Sequence, residues 1–260
     1  MRQNKIRESL RAGTPTVGTR VFGTSPGVVE LVGKTGRYDY VEFVAEYGTF
    51  DLYDLDNICR AAELHDMGTM IKIDQSNQRF MAQRAVGAGF QAVLFTDCRS
   101  ADDVRECVRI VRPDTLEDGG LYPAAGRRNT GQGESGGEAY LQSIRDIIVC
   151  VMIEKRGALD ELEEILSIPG LDMVQWGGTD FSMNIGLPQQ RSHPDVEAAR
   201  LRVFETAVKM GVPPRAEVAT AEHATPYLEM GVKHFSIGAD MPYLYGSWKR
   251  DGEALRALLD

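Results

Sequence analysis

The sequence predicts an α/β protein, a closed (β/α)8 TIM barrel with an N-terminal helix, on three observations. Short apolar runs of strand length alternate with longer stretches of helical period along the whole chain. Eight such units fit into about 250 residues, the usual size of that barrel. Gly68, Gly89, Gly211 and Gly231 each stand between a helical stretch and a strand, where helix stops belong. A doubly wound open sheet is the alternative, but the chain carries no Gly-rich phosphate or dinucleotide loop. One domain over residues 1–260 is expected.

The opening helix is expected over Asn4–Ala12. Strands follow at Thr16–Phe22, Tyr40–Ala45, Thr69–Ile73, Ala92–Thr96, Ile148–Ile153, Met173–Trp176, Arg215–Ala219 and His234–Ile237. Helices are expected between them at Pro26–Thr35, Leu52–His65, Asn77–Gly87, Ala101–Val111, Leu159–Leu166, Asp195–Met210 and Ala221–Met230, with a last one at Gly252–Leu259. Ser100 is a natural cap for Ala-Asp-Asp, whose carboxylates suit a helix start. His193-Pro194-Asp195 opens a helix with proline in its first turn. The Gly-rich stretch Pro113–Gly137, after the fourth βα unit, is too long for a routine connection. It reads as a mobile active-site or interface element, with a plain surface loop as the alternative.

Composition narrows the function. Lys plus Arg number 29 against 38 for Asp plus Glu, a net charge of −9, which argues against nucleic acid as a partner. The longest apolar run, Ile147–Ile153, is far short of a membrane span, so no membrane partner is expected. The N-terminus has no apolar core after its charges, so no secretory signal is expected. Cys59, Cys98, Cys107 and Cys150 lack metal or redox spacing and read as reduced thiols of a cytoplasmic protein.

In such a barrel the chemistry sits at the carboxyl ends of strands. Those ends offer Arg20, Glu46-Tyr47, Lys72 with Asp74, Asp97, Glu154-Lys155, Gly177-Gly178-Thr179-Asp180, Glu217 and Asp240. Glu154 directly follows an unbroken apolar run, where a carboxylate is costly without a cation or donor. Asp180 follows Gly-Gly-Thr at a turn whose N–H groups could receive an anion. Two carboxylates from adjacent strands, with positions left for water and substrate, suit Mg2+ or Mn2+. Ordinary loop-end acids or helix caps are the plain alternative. His65, His193, His223 and His234 occupy no obvious site position, and Met152 and Trp176 read as barrel packing. Arg127-Arg128 reads as a solvated pair that could also meet an anion.

The stretch from Val149 to Asp180, Val-Cys-Val-Met-Ile-Glu-Lys-Arg-Gly and then Gln-Trp-Gly-Gly-Thr-Asp-Phe-Ser-Met-Asn-Ile-Gly, resembles the HpcH/HpaI aldolase family. The similarity extends over most of the chain, taking in Leu10–Gly13, Tyr38–Val41 with Glu46, and His193–Val196. The resemblance implies a (β/α)8 barrel, often a hexamer built as a trimer of dimers. It implies a divalent metal held by Glu154 and Asp180, with Mg2+, Mn2+ or Co2+ as the ion. It also implies a 2-oxo acid substrate whose carboxylate meets the backbone of Gly178, Thr179 and Asp180. The activity implied is cleavage of a carbon–carbon bond through a metal-stabilised pyruvate-type enolate.

The chain departs from that pattern where protons move. The family's Asp-x-Glu-His reads Val44-Ala45-Glu46-Tyr47 here, its strand-three Arg falls at Lys72, and a Gln falls at Met152. The metal half is kept while the dyad that serves as acid and base is rebuilt. Tyr47, Lys72 and Glu46 are therefore the expected catalytic group, with Tyr47 as phenol donor or as phenolate. Arg20 and Arg127 are the expected extra cations for substrate. Three readings follow: a class II aldolase-like lyase, a decarboxylase or other lyase using the same site, or a non-catalytic descendant that binds a small acid.

Overall fold

The computed structural model describes residues 2–130, 133 and 135–259. Eight parallel strands close into a barrel in chain order: β1 (Thr16–Val21), β2 (Tyr40–Val44), β3 (Gly68–Ile73), β4 (Ala92–Phe95), β5 (Ile148–Ile153), β6 (Met173–Trp176), β7 (Pro214–Val218) and β8 (His234–Ala239). Thr16 pairs with His234 to shut the circle, and the register slips between Gly18 and Arg20. The (β/α)8 reading of the sequence holds, and the strand ends fall within two residues of those read from it.

The strands alternate between two apolar layers, as a pleat requires. In β5, Ile148, Cys150 and Met152 enter an inner cluster with Met70, Leu94 and Met173, while Val149, Val151 and Ile153 join the outer layer under the helices. That two-sided burial is why β5 reads as an unbroken apolar run. Ile6, from α1 (Lys5–Ala12), plugs the floor of the inner cluster. Asn4 caps that helix and donates to the carbonyls of Gln91 and Asp146 at 2.7 and 2.8 Å.

The outer helices begin with α2 (Pro26–Lys34), α3 (Leu52–Glu63), α4 (Gln78–Ala88) and α5 (Ala101–Ile110). Ser100 and Asp103 form a reciprocal capping box on α5, a device that stabilises by about 1 kcal/mol. After α6 (Glu138–Arg145), the helix expected at Leu159–Leu166 is split into α7 (Arg156–Asp160) and α8 (Leu162–Leu166). Then come α9 (Gly178–Asn184), α10 (Pro194–Met210), α11 (Thr225–Glu229) and α12 (Asp240–Arg256). His193 caps α10, its Nδ1 accepting from the Asp195 N–H. The cysteines are free and buried. Among the described residues no helix is long and apolar enough to cross a membrane.

Three expectations change. The last helix starts at Asp240 rather than Gly252, because Pro242 sits in its first turn, where a missing N–H costs nothing. Gly68 opens β3 and stops no helix, the left-handed residue there being Asp66 at φ 54°. The described residues of the Pro113–Gly137 stretch form no part of the barrel mouth. They follow α5 and lead through α6 to β5, so they lie at the opposite end and pack on the flank of α3 and α4. Arg128 pairs with Glu63 at 2.7 Å, and the Tyr122 hydroxyl donates to the Gln83 carbonyl. Of that stretch, Gly131, Gln132 and Glu134 lie outside the described residues.

Candidate active site

A cavity of about 530 Å3 opens at the carboxyl ends of the strands. Its wall includes Arg20, Glu42, Tyr47, Lys72, Met152 and Trp176, and the turn Gly177–Asp180. Two groups of charged side chains flank it.

The first group lies at the ends of β2 and β3, which pair so that Val44 faces Lys72. Lys72 Nζ lies 2.5 Å from Glu46 Oε2 and donates to Tyr47 Oη at 3.0 Å. Burial pulls the Lys72 pKa down, but the Glu46 carboxylate and the Tyr47 hydroxyl outweigh it and hold it above its ordinary value. Lys72 is therefore an ammonium, unsuited to nucleophilic attack on a ketone. The Tyr47 pKa is raised by partial desolvation, against the pull of Lys72. Because Lys72 donates to Tyr47 Oη, the phenol proton is left to point elsewhere, a geometry that suits the phenol donor. Tyr47 is 61% exposed and stacks on Phe22, with ring centroids 6.2 Å apart.

The second group lies at the ends of β4, β5 and β6. Glu154 is 2% exposed, and its Oε1 accepts the Asp97 N–H at 2.8 Å. Asp97 takes φ 59°, a left-handed conformation that turns this N–H toward the carboxylate. Burial pushes the Glu154 pKa up to about 7, against the opposing pull of the Asp97 N–H and Lys72. Gly177 lies against the other oxygen: a Cβ there would stand 2.3 Å from Glu154 Oε2, so only glycine fits. Asp180 is in the first turn of α9, where the N–H groups of Gly178, Thr179 and Asp180 have no helical acceptor.

The donor set suits a hard divalent cation. Glu154 is a desolvated carboxylate that a cation would stabilise, and Asp180, in the first turn of α9 after the neighbouring strand, would supply a second oxygen. Among the described residues no three His, Cys, Asp or Glu side chains form a metal-holding group, so water or substrate would have to complete the shell.

The remaining expected residues divide. Arg20 reaches the cavity, paired with Glu217 at 2.6 Å, and its buried Nε has no hydrogen-bond partner among the described residues. Arg127 does not reach it. Its guanidinium donates to the Gln83 carbonyl and lies over the Tyr122 ring on the flank of α4, so its expected contact with substrate is withdrawn. Asp240 is a structural clamp, accepting from the N–H groups of Phe22 and Gly23. Met152 and Trp176 pack in the core and also line the cavity.

Two residues were given no role from the sequence, although Lys155 stands among the strand-end candidates. Arg215 is fully buried inside the barrel, donating to Tyr40 Oη at 2.6 Å and also to Gln175 and Glu42. Glu42 Oε1 is left without a partner among the described residues. Lys155, 5% exposed, places its Nζ 2.6 Å from Asp97 Oδ1 and 3.7 Å from Asp180 Oδ1. The signal for both was in plain view: a charged residue inside or directly after a strand of an otherwise apolar barrel.

Comparison with known proteins agrees with the fold. The family model for HpcH/HpaI aldolase/citrate lyase matches residues 23–244. A 4-hydroxy-2-oxo-heptane-1,7-dioate aldolase from Escherichia coli is 27% identical, covering 98% of this chain and 94% of that relative. A hydroxypyruvate/pyruvate aldolase from Paraburkholderia phytofirmans is 23% identical, covering 98% of both chains. The crystal structure of an HpcH/HpaI aldolase from Desulfitobacterium hafniense superposes with a TM-score of 0.88 at 22% identity, covering 98% of this chain and 97% of that one, a likeness of fold.

Proposed function

This chain belongs to the HpcH/HpaI aldolase/citrate lyase family, and from that premise we propose that it is a divalent-metal-dependent carbon–carbon lyase that cleaves a 2-oxo acid. The observation that carries the proposal is the juxtaposition, at one barrel mouth, of the buried Glu154 carboxylate and the partly exposed Asp180 carboxylate with the hydrogen-bonded Lys72–Tyr47 pair. The names of the relatives, aldolases acting on 2-oxo acids, support it.

Glu154 and Asp180 would hold Mg2+ or Mn2+. When bound, the cation supplies Lewis-acid stabilisation of negative charge developing on the substrate oxygen. The N–H groups of Gly178, Thr179 and Asp180 would receive the substrate carboxylate. Arg20 adds a cation at the wall. Lys72 keeps its charge through Glu46 and spends a hydrogen on Tyr47 Oη. The Tyr47 proton is therefore free to point away from Lys72, and Tyr47 delivers it to the carbon or oxygen that gains charge. In aldol cleavage the substrate hydroxyl must also lose a proton, and Glu46 is the carboxylate in this group that can take it.

One observation favours a second reading. Tyr47 and Lys72 are both held protonated, and decarboxylation of a 2-oxo acid needs delivery of a proton without prior removal of one. Turnover of a panel of 4-hydroxy-2-oxo acids with Mg2+ or Mn2+, following pyruvate and aldehyde, tests the first reading. Carbon dioxide without aldehyde would establish the second. No turnover and no bound metal with any divalent ion would end both.

We also infer a homo-oligomer, a hexamer if the family habit holds. Along α12 no residue is buried, and Met241, Tyr245, Trp248 and Leu255 are at least half exposed. A helix with that much apolar surface needs a partner face. Light scattering of the full chain beside Trp248→Glu tests this; equal masses at the size of one chain would refute it.

A further inference from the structure

β5 runs into two side chains of opposite charge, both buried. Glu154 faces Gly177, and Lys155 turns its ammonium into the space between Asp97 and Asp180. The lysine stem is nearly inaccessible to water, so the ammonium stays where the stem holds it. Its short contact, 2.6 Å, is with Asp97 Oδ1; its longer one, 3.7 Å, is with Asp180 Oδ1. Asp97 in turn gives its backbone N–H to Glu154. One fixed positive charge therefore sits among three carboxylates, two of which are the metal ligands proposed above.

Like charges repel most strongly where water is excluded. A divalent ion entering between Glu154 and Asp180 meets this ammonium at close range. It must also compete with it for Asp180. Asp97 supplies the tether: the ammonium can give up its long contact with Asp180 and keep its short one.

Resting on the reading of Glu154 and Asp180 as metal ligands, we propose that Lys155 is a built-in competitor for the divalent cation, which neutralises Asp180 in the metal-free protein and holds metal affinity down. The site then takes metal reversibly, with substrate oxygens supplying what the protein alone does not.

The test is a titration of the full-length protein with Mn2+ and no substrate, read by calorimetry and by the resonance signal of free Mn2+. Lys155→Met removes the charge and keeps the volume, Lys155→Gln is the second neutral variant, and Lys155→Arg keeps the charge. Thermal melting checks that each is folded. The expected result is Mn2+ affinity about 10- to 100-fold tighter in a folded neutral variant, with Lys155→Arg near the wild type. A wild type that binds Mn2+, with neutral variants no tighter, overturns this proposal and leaves the metal site standing. Equal tightening in all three variants also overturns it, because the effect is then packing and not charge. Folded proteins of which none binds Mn2+ would overturn the metal reading as well.

Discussion

The barrel holds charge in two buried places that behave differently. Inside the barrel, Arg215 spends its guanidinium on Tyr40, Gln175 and Glu42. At the mouth, charges of both signs stand around open space: Glu46, Lys72 and Tyr47 on one side, Asp97, Glu154, Lys155 and Asp180 on the other. The interior group has a cation whose donors are engaged by protein, although Glu42 also touches the cavity and keeps one oxygen without a partner among the described residues. The mouth has a carboxylate pushed up to about 7 by burial, a sign that the protein alone does not stabilise its ionised form. A charge cluster that protein satisfies holds a fold; one that protein leaves wanting is open to a ligand.

The largest test of that contrast is Arg215→Met. It strands the Glu42 carboxylate inside the barrel and should cost about 3–5 kcal/mol in urea unfolding. Adding Glu42→Leu should return much of the loss. If the single variant were as stable as the wild type, the interior pair would not be structural.

The next test works in the opposite direction. The Glu154 pKa is raised, from 4.5 to about 7, so the folded chain holds a proton that the unfolded chain has released. Its favourable contribution is complete below about 4.5 and is lost as pH rises through 7. In metal-free buffer at pH 8, Glu154→Gln should therefore be more stable than the wild type, by an amount on the order of 3 kcal/mol. The gap should close near pH 4.5, while lyase turnover is lost throughout. A destabilised Glu154→Gln at pH 8 would erase the distinction between mouth and interior.

Tyr47→Phe sharpens the comparison within the mouth. Turnover should fall by about a hundredfold if the phenol is the proton donor. Stability should move by less than about 0.5 kcal/mol, since the ring is largely exposed. The smallest effect is expected from Arg127→Ala. With its guanidinium on the Gln83 carbonyl, its loss should leave turnover unchanged in a steady-state assay.

Most of the barrel was legible in the sequence because strand-length apolar runs recur in each unit and glycine stops mark several of the helices. Ile148–Ile153 and Met173–Trp176 were read to the residue, since every side chain of β5 is buried on one layer or the other. The active-site placement of the Pro113–Gly137 stretch failed because its composition tells of length and flexibility but not of the end of the barrel at which it lies. The last helix was started too late because Pro242 and Gly246 look unhelical in isolation, although proline costs nothing in a first turn. At the site, Glu154, Asp180, Tyr47 and Lys72 could be read from strand ends. Arg215 was given no role, because a charge in a strand normally faces water and only closure of the barrel turns it inward, and Lys155 none, because its partners Asp97 and Asp180 come from other βα units. Arg127 failed for the converse reason: a cation in a Gly-rich loop has no address until the loop is placed.

The β1–β8 seam has a consequence for how the molecule comes to exist. Thr16 and His234 are joined by a side-chain hydrogen bond across 218 residues of chain, and Asp240 fastens the start of α12 to the backbone just after β1. The first strand to leave the ribosome is thus left with one open edge until the last has emerged. Folding rates fall as contacts become more distant in sequence, so this seam should be the late event in refolding. Until it shuts, β1 and β8 expose strand edges to any other unfinished chain, and the period of greatest risk for mispairing is set by the time needed to make residues 22 to 239.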